Sequence, residues 1–122
     1  MTGSRIRILC VEDHTDTSNM LAFWMGKSGY EFVPALTYAE GLHQVSPDDF
    51  DAYLIDNRLP DGQGLALCKE IREHDSKTPI IFYSADAQAY TIQAAYAAGA
   101  NEYLVKPVSL EKLDEVISQL IH

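Results

Sequence analysis

Short apolar runs alternate along this chain with stretches in which apolar residues recur every three or four positions. Ile6-Arg7-Ile8-Leu9-Cys10-Val11 reads as a first strand. Asp16 to Ser28 then carries Met20, Leu21, Trp24 and Met25 at helical spacing, closed by Gly29. Glu31–Ala35 reads as a short second strand in which Pro34, lacking an N–H, fits only an edge or a strand end. Tyr38–Val45 is expected to form a short helix before the turn Ser46-Pro47-Asp48-Asp49, and Tyr53–Asp56 a third strand. Leu65 to Glu73 offers Leu67, Cys68 and Ile71 to one helical face, and Ile80–Tyr83, behind Thr78-Pro79, reads as a fourth strand. Ala87 to Ala98 is an alanine-rich helix ending at Gly99, with Ile92, Ala95 and Tyr96 on one face. Glu102–Val105 is the fifth strand, and Leu110 to Ile121 lines up Leu113, Val116, Ile117 and Leu120 in one stripe.

Five strands alternating with five helices predict an α/β fold, a mostly parallel sheet covered on both faces, because right-handed crossovers place helices there. In such sheets the ligand crevice lies beyond the carboxyl ends of the strands. Glu12-Asp13, Asp56, Ser84 and Lys106 each fall just after a strand end, so the topology gathers them into one site.

Asp56 stands at the end of the apolar run Ala52-Tyr53-Leu54-Ile55, where Pro60 and Gly62 force a turn. A turn-forming Asp is the plain reading; beside Glu12, Asp13 and Lys106 a nucleophilic carboxylate that forms an aspartyl-phosphate is the better one. Like charges about 4 Å apart cost roughly 4 kcal/mol at an effective dielectric of 20, so a cation must share the pocket. Mg²⁺, which takes oxygen ligands, is the natural choice, with Glu12 and Asp13 as ligands direct or through water. Lys106 supplies a compact positive charge for a phosphoryl oxygen, and Pro107 fixes the backbone immediately after it. Ser84 offers a hydroxyl, which alone reads as an ordinary turn serine. His14 reads as a loop imidazole, since no second His sits at ligand spacing; His43, His74 and His122 carry no signal.

With 122 residues, 47% hydrophobic and 22% charged, one domain over residues 1–122 is expected. No apolar stretch approaches a membrane span and Met1-Thr2-Gly3-Ser4-Arg5 has no signal-peptide apolar region, so the expectation is a cytoplasmic protein without membrane contact. Cys10 and Cys68 fit reduced core thiols. A net charge of −9 argues against direct nucleic-acid binding.

Taken in order, Val11-Glu12-Asp13, Leu54-Ile55-Asp56, Leu59-Pro60-Asp61-Gly62-x-Gly64, Ser84-Ala85 and Gly99-Ala100-x-x-Tyr103-Leu104-x-Lys106-Pro107 resemble the receiver domain of two-component response regulators, over Ile6 to Leu120. The resemblance implies a flavodoxin-like, doubly wound five-stranded sheet of order 2-1-3-4-5 with five helices. It implies that Asp56 accepts a phosphoryl group from a histidine kinase or histidine phosphotransfer protein. Asp13 and Asp56 would then ligate Mg²⁺ directly with the backbone carbonyl of Arg58, and Glu12 through water. Lys106 and Ser84 would contact the phosphoryl oxygens, and Tyr103 would be the switch aromatic that turns inward as Ser84 moves. Such a domain promotes its own phosphorylation and dephosphorylation and is not a turnover enzyme. Its output partner or effector is unknown, and the fourth helix, fifth strand and last helix would form the output face, including a homodimer contact.

Two other readings are weaker. A phosphatase of the haloacid-dehalogenase type wants Asp-x-Asp, and position 58 is Arg; a phosphate-independent pseudo-receiver typically loses the acidic pair, the Asp or the Lys, all present here. Departures from the family pattern are Ser84 for the commoner Thr and Val108 where many members carry Phe, which weakens assignment to the winged-helix transcription factors. Arg58 and Asp86, each two residues beyond a site residue, are expected to pair across the pocket mouth. From Ala87 to Asn101 no residue is charged, and Gln88, Tyr90 and Gln93 are expected to face outward as a low-charge contact surface. The chain reaches His122 directly after the last helix, which fits both a stand-alone receiver and one excised from a regulator or hybrid kinase.

Overall fold

The apolar runs in the middle of the chain become strands with no exposed face. In a computed structural model, which describes residues 5–46 and 48–121, every residue of Ala52–Ile55 and of Ile80–Ser84 is buried. We number the strands of the main sheet β1 (Arg7–Val11), β2 (Glu31–Ala35), β3 (Ala52–Ile55), β4 (Ile80–Ser84) and β5 (Glu102–Val105). The helices are α1 (Thr15–Lys27), α2 (Tyr38–Gln44), α3 (Gly64–His74), α4 (Ala89–Ala98) and α5 (Leu110–Ile121). The sheet order is β2-β1-β3-β4-β5 with every pairing parallel, the expected doubly wound arrangement. Pro34 sits on the edge strand β2, opposite Cys10, where its missing N–H costs little.

Alternation along each strand feeds two cores. Ile8, Cys10, Leu54, Ile81 and Tyr83 meet Leu21 and Met25 of α1 and Leu113, Val116 and Ile117 of α5. Leu9, Val11, Tyr53, Ile55 and Phe82 point the other way, onto Leu67, Cys68 and Ile71 of α3 and Ala95 of α4. Each such aliphatic side chain contributes about 1.5–3 kcal/mol by leaving water, so the two layers fix the register against slippage. Gly99 closes α4 at φ 114°, a conformation a side chain resists, and a Cβ there would meet Arg72.

Several details depart from the sequence reading. α1 begins at Thr15 with His14 as N-cap, its Nδ1 accepting the Thr17 N–H at 3.3 Å, so His14 is an ordered capping residue. Met20 is exposed and Ser18 takes its place in the buried stripe. α4 starts at Ala89 and buries Thr91 and Ala95, whereas Tyr96, expected in the core, is 44% exposed. A short antiparallel hairpin joins Arg58–Leu59 to Gly62–Gln63 around Pro60-Asp61. The expected turn at Ser46–Asp49 closes with the Asp49 N–H on the Ser46 carbonyl, and Pro47 within it lies outside the described residues, as do Met1–Ser4 and His122. Among the described residues no helix is long and apolar enough to cross a membrane.

Candidate functional site

Sheet order brings the strand-end residues together. β1 and β3 are neighbours, and the Asp56 N–H donates to the Val11 carbonyl at 2.9 Å, setting Asp56 beside Glu12 and Asp13. On the other side the Lys106 N–H donates to the Ser84 carbonyl at 2.9 Å. The Lys106 side chain then reaches back across the sheet end, its Nζ passing 5.0 Å from the centre of the Tyr83 ring. It donates to Glu12 Oε1 at 2.6 Å and to Asp56 Oδ2 at 3.2 Å. The Lys106–Pro107 peptide bond is cis.

The carboxylates differ in setting. Glu12 is 2% exposed, Asp56 is buried, and Asp13 faces solvent. Burial pushes the Glu12 carboxyl up, against the downward pull of Lys106 and of the His14 N–H, which donates to Oε2 at 3.1 Å. Burial works to lower the Lys106 ammonium, but Glu12 and Asp56 outweigh it and the net shift is upward, so Lys106 stays charged. Asp56 Oδ1 accepts the Arg58 N–H at 3.1 Å. One oxygen each from Glu12, Asp13 and Asp56 lies within 4.8 Å of the others, an all-oxygen set that suits a hard divalent ion. Both oxygens of Glu12 and both of Asp56 already accept from protein donors, whereas Asp13 faces solvent.

Ser84 is fully buried, and its Oγ accepts the Asp86 N–H at 3.2 Å. Tyr103 is 7% exposed, stacked on Phe82 with ring centres 5.4 Å apart, and its hydroxyl donates to the Asp86 carbonyl at 2.6 Å. Its ring therefore packs inward, against Phe82 of β4. Burial raises its phenol. The expected Arg58–Asp86 pair is not formed among the described residues. Arg58 is exposed, while Asp86 is buried and held by Gln88, Thr91 and Asn57. The turn after β4 directs the Asp86 carboxylate to the start of α4 and to Asn57.

Sequence reasoning missed three contributors. Asn57 Oδ1 accepts the Leu65 N–H at 3.1 Å and the Asn57 carbonyl accepts the Gly64 N–H at 2.9 Å, fastening the loop after Asp56 to α3. Gly64 packs so close that a Cβ would stand 2.5 Å from the Asp56 carbonyl oxygen. Asp61 accepts the Tyr38 and Ala39 N–H groups at 2.7 and 3.1 Å, tying the hairpin to the start of α2. The run Pro60-Asp61-Gly62-x-Gly64 was the available signal for the last two, but it reads locally only as a turn.

The family model described as response regulator receiver domain matches residues 8–118. Regulatory protein AtoC of Escherichia coli strain K12 is 31% identical over 115 residues, 94% of this chain and 25% of that protein. Response regulator protein PilR of Pseudomonas aeruginosa is 33% identical over 115 residues, 94% of this chain and 26% of that protein. The chain thus spans about a quarter of the length of these relatives. Among solved structures, the non-phosphorylated HemR receiver domain of Leptospira biflexa superposes with a TM-score of 0.91 at 30% identity, covering 96% of this chain and 94% of that one.

Proposed function

This chain belongs to the response regulator receiver domain family of two-component systems, and from that premise we propose that it is a switch whose phosphoacceptor is Asp56. The observation that carries the reading is the placement of Lys106 between Glu12 and Asp56, with Asp13 beside them. A buried carboxylate flanked by a fixed cation and a divalent-ion donor set has the two things phosphoryl transfer needs, positioning and charge neutralisation.

In this reading an Asp56 oxygen attacks the phosphorus of a phosphohistidine on a histidine kinase or histidine phosphotransfer protein. A P–O bond forms, the P–N bond breaks, and its electron pair leaves with the imidazole. Lys106 keeps its charge and pairs with the incoming phosphoryl oxygens, as it pairs with Asp56 now. Ser84 donates its hydroxyl to the same group, and the chain acts as a switch without turning over substrate. Asp13 and Asp56, with the Arg58 backbone carbonyl, would hold Mg²⁺, and Glu12 would reach it through water. The bound ion supplies positive charge to the transferring phosphoryl oxygens.

The output side is the charge-poor stretch on α4 with β5 and α5. Gln88, Tyr90 and Gln93 are exposed there and favour a regulated protein contact, with an effector or a second copy. Residues 1–122 are taken as one receiver domain working in the cytoplasm, where the Cys10 and Cys68 thiols stay reduced. The phosphate-independent alternative has no feature in its favour, since the acidic pair, Asp56 and Lys106 stand together.

The test is incubation with Mg²⁺ and acetyl phosphate followed by intact-mass measurement, with Asp56→Asn alongside. A Mg²⁺-dependent gain of one phosphoryl group, absent from the variant, is expected. No adduct from acetyl phosphate or another small phosphodonor would overturn the reading.

A further inference from the structure

We propose that Asn57 is a positioning residue, whose side-chain amide holds the loop carrying Asp56 and the Arg58 carbonyl in the geometry a divalent ion requires. This inference rests on the phosphoacceptor reading above. Position 57 follows a buried strand, where an apolar side chain would pack as well, yet it is an amide and only 4% exposed. A buried amide is unfavourable unless its oxygen and its nitrogen are both paired. Here both ends find partners. Oδ1 accepts the Leu65 N–H at 3.1 Å, and Nδ2 points to Asp86 Oδ2 at 3.5 Å. These partners fix the amide's orientation, since turning it over would set oxygen against carboxylate and N–H against N–H.

The helix that receives this contact lacks a cap of its own. Gln63 stands at the N-cap position of α3, exposed, with no side-chain bond to the helix. The first two N–H groups of α3 go instead to Asn57, Gly64 to its carbonyl at 2.9 Å and Leu65 to its Oδ1. The cap is therefore lent by the residue next to Asp56, across the Arg58–Gln63 hairpin. Gly64 makes the approach possible, because a Cβ there would stand 3.0 Å from Asn57 Cα.

The loop is thus tied on both sides of Asp56. The Asp56 N–H holds it to the Val11 carbonyl at 2.9 Å, and Asn57 holds it to α3. The Asn57–Arg58 peptide is planar, so the carbonyl bound by Gly64 and the N–H that meets Asp56 Oδ1 at 3.1 Å turn as one unit. The side-chain bond to Leu65 adds a second point of attachment, which stops that unit from pivoting on Gly64. Without it, Asp56 Oδ1 and the Arg58 carbonyl lose their fixed relation to Asp13. Residues that orient metal ligands in this way typically contribute about 10–100-fold to metal affinity.

The test titrates the wild-type chain and Asn57→Leu with Mg²⁺ alone, following the backbone amide NMR signals of Asp13 and Arg58, which also report the fold. Leucine has nearly the shape of asparagine and no hydrogen-bonding group. Asn57→Ala, which sets no methyl against the Leu65 N–H, decides the matter should Asn57→Leu not fold. The folded variant is expected to bind Mg²⁺ about tenfold more weakly than the wild type. At sub-saturating Mg²⁺ it should also gain the adduct from acetyl phosphate more slowly, read by intact mass. Unchanged Mg²⁺ affinity overturns the proposal. Gln63→Ser gives α3 a cap of its own, and adding it to Asn57→Leu is expected to leave Mg²⁺ binding weak. Recovery of affinity in that double variant would make Asn57 a helix cap and nothing more, and overturns the proposal as well. A wild-type chain that binds Mg²⁺ but takes no adduct overturns the phosphoacceptor reading, with the titration still deciding for or against Asn57. A wild-type chain that binds no Mg²⁺ overturns this inference outright.

Discussion

Lys106 stands 2.6 Å from Glu12 and 3.2 Å from Asp56, so the cation of the site leans toward Glu12. Glu12 is the one that needs it. Burial disfavours its charge and pushes its carboxyl up, and Lys106 and the His14 N–H pull against that shift. Asp56 Oδ2 is left with the longer contact.

Removing that cation should expose the conflict. Lys106→Met leaves Glu12 and Asp56 buried together with no positive partner, and breaking a buried pair this way costs about 3 kcal/mol. Urea denaturation at neutral pH in EDTA should show a loss of that order. If the carboxylates hold Mg²⁺ as proposed, part of it should return on adding millimolar Mg²⁺, since a ligand of the folded state alone stabilises it. Equal stability of variant and wild type in EDTA would mean the pair contributes nothing net.

A methyl group at position 64 should disturb Asp56, the proposed phosphoacceptor, from behind. The added Cβ of Gly64→Ala would meet the Asp56 carbonyl oxygen at 2.5 Å and Ile55 Cγ2 at 2.9 Å. Backbone cannot yield as a flexible side chain does, so a loss of about 1–3 kcal/mol is expected. Slower adduct formation at Asp56 should accompany it. Thermal denaturation and the mass-gain time course check both, and a variant matching the wild type in each would show that the loop after β3 relaxes freely.

The sheet and the strand-end site were legible because each depends on local pattern. Ala52–Ile55 and Ile80–Tyr83 are unbroken apolar runs, and Glu12, Asp13, Asp56, Ser84 and Lys106 lie at or just past strand ends that a parallel sheet aligns. What the sequence hid are bonds between residues far apart or turned by a loop. Asp61 caps a helix 22 and 23 residues earlier. Asp86 was expected to face Arg58 from spacing alone, and its loop turns it to Thr91 instead. Tyr96 has the helical spacing of a core residue, yet its hydroxyl finds partners at the sheet edge that no periodicity encodes.

Acid should weaken the fold through Asp75. Burial works to raise this carboxyl, but the Thr78 and Lys77 N–H groups on Oδ1, at 3.0 and 2.9 Å, and nearby Arg72 outweigh it and leave it below the usual carboxylate range. A carboxyl lowered by folding stabilises the folded state above its unfolded pKa, about 3.9, and loses that contribution as pH falls through its folded value. Asp75→Ala should therefore cost about 1–3 kcal/mol near pH 7. The gap between variant and wild type should narrow below pH 4. A gap of constant size from pH 7 to pH 3 would remove the charge from the explanation.

Tyr96 makes the last case, because its exposed ring hides a bond that edge strands rarely have. β5 ends the sheet, and an edge strand presents unpaired N–H groups to solvent or to another chain. Here the Tyr103 N–H donates to the Tyr96 hydroxyl at 3.1 Å, and that hydroxyl stands 3.4 Å from Glu102 Oε1. Tyr96→Phe keeps the ring and frees the amide. The expected loss is about 1 kcal/mol of stability, the net worth of one ordinary hydrogen bond. The more specific sign is local: the Tyr103 amide should exchange with deuterated water faster in the variant, while amides of β3 hold their wild-type rates. Unchanged exchange at Tyr103 would show that water or a neighbour protects that amide as well as the hydroxyl does.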